Sequence, residues 1–248
     1  MTEFWHTASG SGDPVVLLHG GFSDSRDFDT SLTALADTYR VFAYDRRGHG
    51  RTPDRDGPLT MSVLSADAVD FLTTQVGGPA VLCGYSAGGT VALHTALRRP
   101  DLVRALVLIS TAYSVDGMLF APSADAPLPP PVLARYAEVS PDGADHLPVV
   151  QAKIADALAT EPALTPSDLA AITCPTLLVT ADDDLVTLSH TASLLAALPD
   201  ARLAVLPATS HLLLLEAPEQ ATSLIRTFLA GASTPPKTLM PLRRARHG

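Results

Sequence analysis

Short apolar runs alternate along this chain with segments in which apolar residues recur every three or four positions. The runs fall at 15–18, 40–44, 80–83, 105–109, 176–180 and 202–206, and a weaker one lies within 3–8. Continuous apolar runs of this length read as strands buried on both faces, the signature of a parallel sheet. Between them, Phe28, Leu32, Leu35 and Ala36 share one helical face, with Ser25 or Asp27 placed to cap it. Leu64, Ala68, Phe71 and Leu72 mark a second helix, and Leu188, Ala192 and Leu195 a third. Ala221, Leu224, Ile225 and Phe228 mark the last. Strand and helix in strict alternation predict an α/β fold, a doubly wound and mostly parallel sheet with helices on both faces.

The alternation stops at Ser110 and resumes at Thr176. In between, 121–131 is too rich in proline for regular helix or central strand. Val150, Ile154, Ala157 and Leu158 form one helical face, and Thr165-Pro166-Ser167-Asp168 starts another short helix with a cap and a proline at its first position. The organisation expected is a core of 1–111 and 171–230, a small helical lid inserted at 112–170, and a Pro-rich, basic, disordered tail at 231–248.

Composition narrows the class. The chain has 248 residues, 46% hydrophobic and 17% charged, which suits one α/β domain with a sizeable core. A net charge of −9 argues against nucleic acid or anionic membrane as partner. Cys83 and Cys174 form no paired motif, so neither a disulfide framework nor a metal site is expected. With no basic-then-apolar start and no run of membrane-spanning length, a cytoplasmic protein is expected.

Candidate chemistry centres on Gly84-Tyr85-Ser86-Ala87-Gly88, which joins an apolar run to a helical segment. A serine on such a sharp strand-to-helix turn needs small residues on either side, because backbone and helix approach closely there. The turn also sets Ser86 at a helix N-terminus, where free N–H groups can stabilise an oxyanion. His19-Gly20-Gly21-Phe22 follows an earlier strand and offers a second N–H, from Gly21 or Phe22, while His19 reads as a structural hydrogen-bonder. Asp45 and His49 lie in a charged, glycine-containing loop that can satisfy itself locally, and are read as structural. An acidic cluster, Asp182-Asp183-Asp184, follows the strand after the insertion, and His211 follows the last strand. Ligands bind at that carboxyl edge of open α/β sheets.

These landmarks resemble the α/β-hydrolase superfamily from residue 15 to 229. The resemblance implies Ser86 as nucleophile, His211 as base, Asp184 as the acid behind it, and Ala87 with Gly21 or Phe22 as oxyanion donors. Asp184 stands three residues after the small Ala181, where members carry the acid; Asp183 and then Asp116 are the fallbacks. Haloalkane dehalogenases and epoxide hydrolases carry aspartate where this chain has Ser86. Carbon–carbon bond hydrolases and cofactor-free haloperoxidase-like members often carry methionine where it has Ala87. What remains is a serine hydrolase of carboxylic esters or lactones acting through an acyl-enzyme, with no cofactor, no metal and a small-molecule substrate. The alternatives are a carbon–carbon bond hydrolase or a non-hydrolytic receptor, lyase or cyclase on the same fold. Tyr85 beside the serine, and Met118, Leu119 and Phe120 in the lid, are expected to line the pocket.

Overall fold

The computed structural model describes residues 3–120 and 122–232, so the expected tail lies, from 233 onward, outside the described residues. In chain order the elements are β1 (His6–Ser9), β2 (Pro14–Leu18), β3 (Arg40–Tyr44), α1 (Met61–Phe71), β4 (Ala80–Tyr85), α2 (Ala87–Arg98) and β5 (Val103–Ile109). There follow α3 (Pro130–Ala137), α4 (Leu147–Thr160), α5 (Pro166–Ala170), β6 (Thr176–Asp183), α6 (Leu188–Ala197), β7 (Ala201–Ser210), α7 (Leu213–Glu216) and α8 (Pro218–Gly231). The strands form one sheet in the order β1-β3-β2-β4-β5-β6-β7. Only β1 runs antiparallel to its neighbour.

The apolar runs do not alternate because both faces of the sheet are covered. Val15, Leu17, Cys83, Val107, Ile109 and Val179 pack on one side against Ile225 and Phe228 of α8. Val16, Leu18, Leu82, Leu106, Leu108 and Leu178 pack on the other against Phe71 of α1, Leu93 of α2 and Leu194 of α6. Cys83 is a buried, free thiol in the first of these layers.

A third apolar cluster joins Leu64 of α1 and Val91 of α2 to Tyr136 of α3 and to Leu147 and Val150 of α4. Polar ties reinforce that contact. Arg135 of α3 donates to both carboxylate oxygens of Asp24, at 3.0 and 3.1 Å. Asp54 takes Lys153 at 2.6 Å and His146 at 2.9 Å, both from the segment between β5 and β6.

Three local expectations are corrected. The segment 25–37 is not one α-helix but two 3-10 turns, Ser25–Phe28 and Leu32–Asp37, and the cap is Asp24, whose side chain accepts from Arg26 N–H. Ser31, at φ −135° and ψ −92°, breaks the helix between them, while Phe28, Leu32 and Leu35 remain buried. Pro130 and Pro131 open α3 instead of excluding it, since a proline in the first turn lacks only an N–H that would have no partner there. The inner face of α6 is His190, Thr191 and Leu194, with Leu188 exposed. The His190 ring stacks on Tyr113 at 4.1 Å and accepts its N–H at 3.1 Å, a tertiary contact that outweighs the apolar periodicity.

The loop after β3 satisfies itself, as its composition suggests. Asp45 accepts the N–H groups of Ser25 and Arg51 at 2.8 Å each, and Arg47 makes a two-pronged pair with Asp67 of α1 at 2.7 and 2.8 Å. His49 donates from Nδ1 to Arg47 O at 2.9 Å, and its Nε2 is sealed without a partner. Burial, with Arg46 nearby, pushes the His49 imidazole down to about 3, and burial likewise lowers His19 well below its ordinary range. Both are neutral in the fold. The unfolded chain gains a proton on each below about pH 6.5, and the native state does not. Their full contribution is therefore present above that pH and is lost as the pH falls toward the folded values. Unfolding free energy is expected to drop below pH 6.5, and His49→Gln to flatten the slope by about 1.4 kcal/mol per pH unit. Urea titrations of both proteins from pH 7.5 to 5 check this; parallel slopes refute it.

Candidate active site

β4 delivers the chain to Ser86 and α2 carries it away. Ser86 has φ 52° and ψ −120°, a conformation that non-glycine residues rarely adopt. The turn is held from outside by Ser86 N–H donating to Ile109 O of β5 at 2.8 Å. Its tightness explains the glycines. A Cβ at position 84 would lie 2.4 Å from Gly89 Cα, and one at position 88 would lie 2.0 Å from Leu18 O of β2. Both contacts are with backbone, which cannot step aside.

His211 follows β7 in a loop clamped at several points. Asp182 accepts the N–H groups of Ala208 and Thr209 at 3.0 and 3.2 Å. Glu216 of α7 accepts the N–H and hydroxyl of Ser210 at 2.6 and 2.8 Å. Tyr85 O–H donates to His211 O at 2.7 Å. The ring is thereby set between two partners: Nε2 lies 3.1 Å from Ser86 Oγ and Nδ1 lies 2.7 Å from Asp184 Oδ1.

Asp184 follows β6, just after an irregularity in its pairing with β7. Its Oδ1 also accepts Val186 N–H at 3.2 Å. Oδ2 accepts the hydroxyls of Ser110 at 2.5 Å and Thr180 at 3.1 Å, and Ala181 N–H at 3.2 Å. Burial alone would raise this carboxyl, but the hydrogen bonds from His211 and Ser110 prevail and hold it down to about 2. It is an acceptor at neutral pH, so Nδ1 of His211 carries the proton and the Nε2 lone pair faces Ser86.

The three residues singled out from sequence are thus brought together. Asp183 and Asp116 are not: both are exposed, and Asp116 bonds within its own turn to Ser114. Among the described residues, the N–H groups of Gly21, Phe22 and Ala87 find no protein acceptor. All three residues line a cavity of about 400 Å³ that includes Ser86 and His211. Leu59 and Leu64 from the α1 region and Leu128, Ile154 and Leu158 from the segment between β5 and β6 supply apolar wall.

Of the expected pocket residues, Met118 and Phe120 are on the wall and Tyr85 and Leu119 are not. Tyr85 is buried beneath His211, its hydroxyl committed to the histidine carbonyl. Leu119 lies off the wall at 67% exposure, and Phe120, although on the wall, is 71% exposed. Ser110 and Thr180 on Asp184, and Glu216 on the Ser210 backbone, make hydrogen bonds at the candidate site that the sequence does not signal. Ser110 is 74 residues from Asp184, and only the adjacency of β5 and β6 brings them together. Arg46 also lines the cavity, although the mixed charges of its loop point to a purely structural role.

Among the described residues, no three His, Cys, Asp or Glu side chains gather as metal ligands, and no helix is long and apolar enough to cross a membrane. The chain matches the Alpha/beta hydrolase family over residues 15–223. It belongs to that family. A pimeloyl-[acyl-carrier protein] methyl ester esterase of Neisseria meningitidis is 38% identical over 97 residues, 39% of this chain and 36% of that enzyme. Lipase LipV of Mycobacterium tuberculosis is 36% identical over 117 residues, 47% of this chain and 44% of the lipase. The match therefore spans less than half the length of either curated relative. The fold is shared more widely: a thermophilic esterase of Thermogutta terrifontis superposes with a TM-score of 0.77 at 24% identity, covering 93% of this chain and 94% of that one.

Proposed function

We propose that this protein is a serine hydrolase of carboxylic esters or lactones that works through an acyl-enzyme. The observation that carries the reading is the continuous relay Ser86 Oγ–His211 Nε2 and His211 Nδ1–Asp184 Oδ1, opening on a largely apolar cavity. A serine hydroxyl alone is a weak nucleophile. In this reading His211 Nε2 takes the Ser86 proton as Oγ attacks the ester carbonyl. The C–O bond to the alcohol then breaks, and the alcohol leaves with that proton. Water, deprotonated by the same nitrogen, attacks the acyl-serine; the acid departs and Ser86 recovers its hydrogen. Asp184 keeps the imidazole in the required tautomer and stabilises the imidazolium.

The oxyanion would be held by Ala87 N–H and Gly21 N–H. Gly20 O is gripped by His19 Nδ1 at 2.8 Å and Arg46 Nη2 at 2.7 Å. In a planar trans peptide the N–H points opposite to the C=O, so these bonds turn Gly21 N–H to the other side. Gly21 is near Ala87 there, since a Cβ on it would lie 3.7 Å from Ala87 Cβ. Residues 112–170 act in this reading as a small cap, and the substrate is a small molecule needing no cofactor. The esterase and lipase names of the relatives are consistent with ester chemistry.

The test is a fluorophosphonate probe together with a panel of chromogenic esters and lactones of graded acyl length. Covalent labelling at Ser86 and burst release of the chromophore are expected. A protein that neither labels nor turns over any member of the panel is not a hydrolase of this class, and the non-hydrolytic alternatives return.

A further inference from the structure

Arg46 lines the cavity, and beyond the Nη2 bond to Gly20 O its guanidinium has no part in the relay. It is 3% exposed. Its neighbours in the loop have their charges matched: Arg47 by Asp67 at 2.7 Å and Arg51 by Asp45 at 3.2 Å. Among the described residues Arg46 has no carboxylate within ion-pair distance. Nη2 is committed to Gly20 O, Nε is sealed from solvent with no acceptor, and Nη1 has no acceptor either. Nη1 has no acceptor and is not among the sealed atoms, and Arg46 lines the cavity with Gly21, Ser86 and His211.

The charge of Asp27 reaches Arg46 through space, but no carboxylate pairs with it directly. Asp27, across Gly20, already accepts Gly20 N–H and the Ser23 hydroxyl and pairs with Arg135 at 3.3 Å. The carboxylate of Glu161, on the cavity wall, is spent on the N–H groups of Met61 and Ser62. His19 and His49 are neutral beside it. Burial lowers Arg46 only to about 10, so it stays cationic at neutral pH. A fixed, buried, unpaired guanidinium on an apolar wall is unfavourable until an anion meets it, and the N–H groups of Nη1 can donate to a carboxylate.

We propose that Arg46 is the anion subsite of this cavity, and that the substrate is an ester or lactone carrying a free carboxylate, such as a half-ester of a dicarboxylic acid. This rests on the reading of Ser86 as an esterolytic nucleophile. The carboxylate pairs with Nη1 while the aliphatic chain crosses the apolar wall to place the ester at Ser86.

Methyl half-esters of dicarboxylic acids over a series of chain lengths, each paired with the methyl ester of the matching monoamide, isolate the charge at nearly constant shape. The kcat/KM quotient of each pair cancels any general loss of activity. At the chain length that fits, the wild type is expected to favour the carboxylate by about tenfold to a hundredfold. Arg46→Gln is expected to bring the quotient close to one, and Arg46→Lys, which keeps the charge but not the reach and direction of the Nη1 donor, to leave an intermediate value. Calorimetry of the same pairs on Ser86→Ala and on Ser86→Ala/Arg46→Gln reads binding without turnover. Turnover of neutral esters with no carboxylate preference at any length overturns the proposal and leaves the esterase reading standing. So does a preference that survives Arg46→Gln, or, if that variant does not fold, one unchanged by Arg46→Lys. If no ester is turned over, the esterase reading falls, and the calorimetric pair still decides whether Arg46 binds carboxylate.

Discussion

Ser86→Ala is expected to abolish ester turnover, a loss on the order of a millionfold by analogy with serine removal in an unrelated protease, while the protein stays folded. The two halves of this outcome have separate causes. Activity goes because the substitution removes Oγ, which lies 3.1 Å from His211 Nε2 and is the atom that would form the acyl bond. The fold stays because the features that define the turn are backbone ones. Ser86 N–H still bonds Ile109 O, Gly84 still lets β4 approach α2, and Gly88 still lets α2 approach β2. Alanine suffers the positive φ about as serine does, so stability should move by less than about 1 kcal/mol. Single-turnover kinetics on the best chromogenic ester, with thermal unfolding of the same sample, checks both. A folded Ser86→Ala protein that keeps more than a few per cent of wild-type turnover would remove Ser86 from the mechanism.

Asp184→Asn should be the most damaging change among the three neighbouring aspartates, costing about 10⁴ in kcat, a scale taken from the corresponding change in an unrelated serine protease. Five donors converge on the Asp184 carboxylate. An asparagine must turn its NH₂ toward one of the two sets. Toward Oδ1's partners it meets His211 Nδ1–H and Val186 N–H; toward Oδ2's it meets Ala181 N–H. Either choice sets donor against donor, and the cheaper escape is for the imidazole to change tautomer and lose its lone pair at Ser86. An unsatisfied buried group adds a stability cost of about 1–3 kcal/mol. Asp183→Asn should stay near wild type, since that side chain is exposed. Asp182→Asn should lose far less than Asp184→Asn, because an amide oxygen can still accept from Ala208 or Thr209. The acid side of the profile gives a second check. Asp184 is depressed to about 2, below an unfolded value near 4. Its contribution to stability is therefore complete above that unfolded value and is lost progressively as pH falls from there through about 2. Loss of activity at milder acidity must arise elsewhere. Kinetics of the three variants across pH separates these cases, and a crippled Asp183→Asn would move the acid by one residue.

The tasks of sequence and tertiary structure divide along a physical line. Where a property depends on residues close in the chain, it was legible. Buried parallel strands declare themselves as unbroken apolar runs, because a sheet covered on both faces has no polar side to alternate with, and the six runs recur as β2 to β7. The elbow was legible because backbone crowding at Ser86 leaves few options but glycine at 84 and 88. Asp184 is preferred over its neighbours on the family resemblance, in which the acid stands three residues after a small residue such as Ala181, and its geometry fits that choice. Where a property depends on residues brought together across the sheet, the chain alone was silent. Ser110 on Asp184, and Glu216 on the Ser210 backbone, are set by strand order and by the paths of loops. His190 faces inward on α6 because Tyr113 stacks on it, against the apolar periodicity of that helix. Arg46 makes the same point about charge. In sequence it is one arginine of three in a charged loop; only tertiary structure leaves it unpaired, because its neighbours' carboxylates are already taken and the cavity wall offers it none. Local sterics and periodicity are written in neighbouring residues. Whether a polar group is satisfied is a property of the whole packed molecule, and the fold alone decides it.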